Sequence, residues 1–119
     1  MKMFGYASLA VFVLMAHLAS AADLLTGKWS GQPADAPRAL VFDFKVTGEE
    51  ITGTLTFGDD HDPIQKGILK GADVTFEVHP DNAYVITFKG KIEGDVMKLH
   101  LTFSNGIPEN DTTFHRVKQ

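Results

Sequence analysis

The chain has 119 residues, enough for one ordinary domain, with 44% hydrophobic and 22% charged residues and no long low-complexity tract. Eleven Lys and Arg against 15 Asp and Glu leave a formal charge of -4, which argues against a nucleic-acid partner, whose phosphates need a basic face. The absence of cysteine excludes disulfides, thiolate metal sites and a cysteine nucleophile.

Residues 1–22 read as a secretory signal peptide. Lys2 supplies the positive start, Ala7 to Leu18 the apolar stretch, and Ala19-Ser20-Ala21 or Ser20-Ala21-Ala22 the small-x-small cleavage pattern. The apolar run is short of the roughly 20 residues that span a bilayer. The expectation is a secreted or periplasmic protein, starting at Ala22 or Asp23, with no membrane attachment after cleavage. The domain proper is then 23–119, and without disulfides its core must supply the stability.

That domain alternates with period two. Counting from the N-terminus, short strands are predicted at Thr26 to Ser30, Leu40 to Val46, Ile51 to Phe57, Ile64 to Leu69, Val74 to Val78, Tyr84 to Ile92, Met97 to Phe103 and Thr112 to Lys118. One apolar and one polar face per strand is the pattern of an antiparallel sheet wet on one side. Turn chemistry separates the strands at Thr47-Gly48, Lys70-Gly71, Pro80-Asp81-Asn82, Glu93-Gly94 and Asn105-Gly106. Lys66-Gly67-Ile68-Leu69-Lys70-Gly71 aligns with Lys89-Gly90-Lys91-Ile92-Glu93-Gly94, so a hairpin unit is repeated once. No amphipathic helix is predicted after residue 22. About eight strands in an up-and-down meander can close into a barrel, which removes exposed sheet edges.

Two features at the ends of the domain bear on the family. Gly27-Lys28-Trp29 opens the first strand, and Arg116 sits in the last, within Phe114-His115-Arg116-Val117. A Trp can plug a barrel end, and a guanidinium can cover its face. The pairing resembles the calycin pattern of lipocalins, fatty-acid-binding proteins and avidins, and implies an all-β, calycin-like barrel closed by Trp29 and Arg116. Leu25 to Trp29 and Ile51 to Leu55 are similar to avidin strands, but Gly31 and Leu55 replace the Asn and Tyr of the biotin site, and Trp29 is the only Trp. Small secreted metalloprotease inhibitors are also calycin-like, but carry a disulfide that this chain lacks.

The chemistry-bearing residues are few. Asp59, Asp60, His61 and Asp62 form the densest polar cluster; as weak metal candidates they fit no calcium-loop spacing, and they read as a solvated loop between Phe57 and Ile64. His79, His100 and His115 have outward parity, without the spacing of a zinc site. No nucleophile or metal constellation indicates an enzyme, and no cofactor is implied. The inward list is apolar, and it raises the question of a filled or a hollow barrel. Gln65 and Tyr84 are the polar anchors available to a ligand, with Phe42, Phe44, Phe88 and Leu101 as apolar walls. One reading is a secreted, non-catalytic binding protein for a small apolar ligand. The other is a filled barrel that engages a protein partner, as an interaction or inhibitor module, through loops at Asp59 to Asp62 and Asn105 to Asp111. Asn110-Asp111-Thr112 is a glycosylation sequon, relevant only in a eukaryotic source.

Overall fold

Nine strands follow one short helix in the computed structural model, which describes residues 20–118. The segment read as a leader therefore lies, up to residue 19, outside the described residues. Helix α1 (Ala21–Leu25) is capped by Ser20, whose hydroxyl accepts the Asp23 amide at 3.2 Å. The strands are β1 (Gly27–Gly31), β2 (Leu40–Thr47), β3 (Glu50–Phe57), β4 (Asp60–Pro63), β5 (Gln65–Lys70), β6 (Asp73–Val78), β7 (Ile86–Glu93), β8 (Val96–Phe103) and β9 (Asn110–Arg116). A single 3-10 turn, Pro80–Asn82, lies between β6 and β7.

Every pairing is antiparallel, and the sheet closes. From β1 the ring runs through β2, β3, β5, β6, β7, β8 and β9, and returns to β1 where Trp29 stands opposite Arg116. Eight strands make the barrel. The extra strand, β4, lies along the outer half of β3, with Leu55 opposite Asp62 and Phe57 opposite Asp60. The first half of β3 is taken by β5, through Glu50 and Ile51. Thus β4 and β5 together form one interrupted run beside β3, bent at Ile64 and at Lys66, whose φ is 52°.

This corrects two expectations. Asp60 to Asp62 are strand residues rather than a loop, because Gly58 and Asp59 alone make the turn. Gly58 takes φ 64°, which lets two residues reverse the chain, and strand pairing then begins immediately. The bulge between Gln65 and Ile68 breaks the period-two count, so Ile64, Gly67 and Leu69 are the buried positions. Gln65, assigned an inward parity from Leu69, stands off that phase.

Alternation otherwise decides the interior. Phe42, Phe44, Phe76, Phe88 and Phe114 are buried and meet in one aromatic stack. Phe76 lies parallel to Phe88 at 4.7 Å between ring centres, Phe42 parallel to Phe44 at 5.0 Å, and Phe42 meets Phe88 edge-on at 5.3 Å. These rings fill the middle of the barrel. The end where the chain enters is closed by Leu25 and Trp29, both fully buried. The Trp29 indole N–H donates to the Leu25 carbonyl at 2.8 Å, which satisfies its one polar atom. Arg116 covers the indole at 4.5 Å from its centre. Its remaining donors go to Asp95 at 2.9 Å, to the Thr26 carbonyl at 3.2 Å and to the Leu24 carbonyl.

The repeated hairpin has a structural reason. Its two copies become β5–β6 and β7–β8, and in each the later glycine, Gly71 or Gly94, turns the chain with φ near 60°. The earlier glycine, Gly67 or Gly90, lies where a neighbouring strand crosses closely: a β-carbon on Gly67 would collide with the Ile51 carbonyl oxygen of β3, and one on Gly90 with the Lys98 carbonyl oxygen of β8. Gly90→Ala should accordingly abolish cooperative folding, whereas Gly94→Asn, in open space with a residue that tolerates positive φ, should lower the melting temperature only slightly. Thermal unfolding of the two variants, followed by circular dichroism, checks the contrast.

Candidate functional site

Because the strands run up and down, the connections sort themselves by end. The turns after β2, β5 and β7 lie at the end closed by Trp29. Those after β1, β3, β6 and β8 gather at the other. The closed-end turns have two residues each, whereas three of the four at the far end are long: 32–39, 79–85 and 104–109. These loops frame a cavity of about 430 Å³ that opens to solvent. Its size falls within the range of small-molecule sites.

The cavity floor is apolar. Leu40, Leu55, Ile86 and Leu101 close it from below and rest on the aromatic stack. Phe57, Tyr84 and Phe103 stand higher on the wall and are only half-buried. All seven follow from the alternation, but the exposure of the last three does not. They are inward-facing residues at the barrel's mouth, where the strands end before an opposing wall can cover them.

The rim is acidic. Asp35, Asp60, Asp62 and Asp81 all line the cavity. Asp60 and Asp62 face in because they are the register partners of Phe57 and Leu55. Asp35 and Asp81 sit in loops and take left-handed φ values of 66° and 54°, a conformation that Asp adopts more readily than most residues. Asp62 has its carboxyl pKa raised, first by partial desolvation, then by the charges of Asp81 and Asp60, with His61 opposing. His61 itself points away, its Nδ1 within 2.9 Å of the Thr56 hydroxyl.

The loops are braced by their own hydrogen bonds. Gln32 donates to the Ala36 carbonyl at 2.9 Å, folding the 32–39 loop on itself. The Ser104 amide donates to the Val85 carbonyl and the Ser104 hydroxyl accepts the Val85 amide, at 2.9 and 2.8 Å. That reciprocal pair ties the 79–85 loop to the 104–109 loop. Asn110 lines the wall, and its Oδ1 accepts the hydroxyl of buried Thr112 at 2.7 Å. The sequon asparagine is thus half-buried and engaged within the barrel.

The residues singled out from the sequence are divided among different places. Tyr84 and Leu101 line the cavity. Phe42, Phe44 and Phe88 lie beneath it in the stack, and Gln65 is not on its wall. Asp60 and Asp62 belong to the rim, while Asp59 is in the β3–β4 turn. Sequence reasoning missed the inward pair Asp60 and Asp62 and the pair Asn110 and Thr112. The signal was present as parity: Asp60 and Asp62 are in phase with Ile64, and Asn110 and Thr112 with Phe114.

A second polar group lies outside the barrel. His100 places Nδ1 at 2.7 Å from Asp111 and Nε2 at 2.6 Å from Glu109, next to a shallow groove over β7, β8 and β9. The two carboxylates hold opposite edges of the ring, so they do not converge on one point. Among the described residues, no three His, Asp or Glu side chains gather in a way that could hold a metal ion.

The site and fold define a closed eight-stranded antiparallel barrel, with an extra strand, a plugged end and an open end. Comparisons with protein-family models, curated proteins and solved structures find no match to the chain.

Two titrations follow. The carboxylates beside His100 raise its pKa, through the Glu109 and then the Asp111 hydrogen bond. Its protonated form is favoured by folding, so the stabilisation is complete below the ordinary histidine pKa and is lost as pH rises through the folded value. NMR titration of the imidazole should show a midpoint above 6.5, falling in Glu109→Gln. Asp62 has the opposite effect on stability. A carboxylate with a raised pKa costs stability once ionised, so Asp62→Asn should raise the melting temperature at neutral pH. The gain should fade as pH falls through the folded Asp62 pKa toward 3.8, measured by thermal denaturation across pH.

Proposed function

We propose that this chain is a secreted, non-catalytic binding protein that takes a small, largely apolar ligand into the open end of its barrel. The observation that carries the reading is the apolar cavity of about 430 Å³ above a filled aromatic stack. The likeness to calycins agrees with it: Gly27 and Trp29 begin the first strand, Arg116 covers the indole, and the ligand end lies opposite. Filled and hollow are then not alternatives. Five phenylalanines stabilise the lower barrel, and the upper part is left free for a guest.

Binding by shape and apolar burial requires no nucleophile or metal. The floor residues Leu55, Ile86 and Leu101 remove the guest's apolar surface from water, worth about 25 cal/mol per Å² before the costs of association. Tyr84 brings a ring and a hydroxyl to the wall. Export through the 1–22 leader belongs to the same proposal; its removal takes Ser20 to Ala22 from α1 and leaves Leu24 and Leu25, whose carbonyls accept from Arg116 and Trp29.

The other reading, a module that engages a protein through its loops, has one observation in its favour: Ile107, at the cavity edge, is 46% exposed. An apolar side chain there serves a guest equally well. The two differ in what a neutral dye does. N-phenyl-1-naphthylamine should gain fluorescence on binding, with a stoichiometry of one. Ala36→Trp, which narrows the mouth without touching the core, should weaken it by about tenfold or more, a loss of roughly 1.4 kcal/mol. Absence of any saturable fluorescence gain would remove the small-ligand reading and leave the loops as the functional surface.

A further inference from the structure

We infer that the preferred guest is a hydrophobic amine, its apolar body on the Leu55–Leu101 floor and its protonated nitrogen among Asp35, Asp60, Asp62 and Asp81 at the rim. The inference rests on the ligand-binding reading above and names the chemical class of the guest.

Four observations carry it. First, the cavity's polar lining has one sign: it includes four Asp, and no Lys, Arg or His is among the described residues that line it. Second, none of these four carboxylates has a hydrogen-bond or ion-pair partner among the described side chains. His61, adjacent to both β4 carboxylates, turns outward to Thr56, and Arg38 packs on the β3–β4 turn against Gly58. Third, the carboxylates share the mouth with Phe57, Tyr84 and Phe103. Ring faces and carboxylates together make the environment that an ammonium prefers, since both attract positive charge and the aromatic wall reduces its hydration. Fourth, the placement is built into the fold. Asp60 and Asp62 are fixed by register opposite Phe57 and Leu55, rather than carried on a floppy loop.

The same charges determine what is rejected. A carboxylate-headed lipid would bring its negative group to the rim in order to bury its tail, and would meet four unneutralised aspartates there. A neutral guest gains only the floor. The amine alone gains floor, rings and charge, and it also relieves the mutual repulsion of Asp60, Asp62 and Asp81.

The test uses three guests that share a naphthalene body: 1-naphthylmethylamine, 1-naphthylmethanol and 1-naphthylacetate. Each competes against N-phenyl-1-naphthylamine at neutral pH. The amine should bind about tenfold or more tightly than the alcohol, the acetate should be weakest, and added salt should shrink the spread. In Asp60→Asn/Asp62→Asn the amine should fall toward the alcohol while the alcohol keeps its affinity, which also shows that the variant is folded. If the alcohol binds and the amine is no better, or the acetate competes equally, the amine inference is overturned and the apolar-ligand reading stands. If neither dye nor alcohol binds, the cavity reading itself is overturned, and the amine inference with it.

Discussion

The barrel depends on how one end is shut. Trp29 has no exposed surface, its indole N–H is satisfied by the Leu25 carbonyl, and Arg116 lies across its face. Arg116 reaches in turn to Asp95, Thr26 and Leu24, so one guanidinium joins α1, the start of β1, the β7–β8 turn and the end of β9. The first and last strands meet at this same register, Trp29 opposite Arg116. Closing the sheet and plugging the barrel are therefore one event. A chain without cysteines has no covalent means of holding its ends together, and this contact is the noncovalent substitute.

A plugged end allows an open one. The five-ring stack, drawn from β2, β6, β7 and β9, occupies the barrel's middle. Above it the strands diverge into long loops and the interior is no longer filled. Stability resides in the lower barrel, while the features that oppose stability lie at the mouth: ionised Asp62, left-handed Asp35 and Asp81, and half-exposed Phe57 and Phe103. Such a division is expected of a binding site, which retains groups that a structure optimised for stability alone would replace.

Much of this was legible in the sequence because burial in a barrel follows parity. Phe42, Phe44, Phe76, Phe88 and Phe114 are inward for the simplest of reasons, and Gly27-Lys28-Trp29 with Arg116 pointed to a closed end. The reading failed in two places, each for a local cause. At Lys66 a bulge adds a residue, so Gln65 moves out of phase while Leu69 stays in. At Asp59 to Asp62, composition overruled periodicity: four polar residues read as a loop, although Gly58 needs only one further residue to make the turn. The acidic rim was hidden by that second error. The cavity was not legible at all, since alternation says which way a side chain points and nothing of whether the space beyond it is filled.

The central claim is that the open end, and no other surface, receives the guest. Amide and methyl chemical-shift mapping with N-phenyl-1-naphthylamine tests it most directly. The account predicts shifts at Ala36, Leu55, Tyr84, Ile86, Leu101 and Ile107, with the Trp29 indole N–H resonance unmoved. Shifts centred on the Trp29 end, or on the groove beside His100, would contradict it.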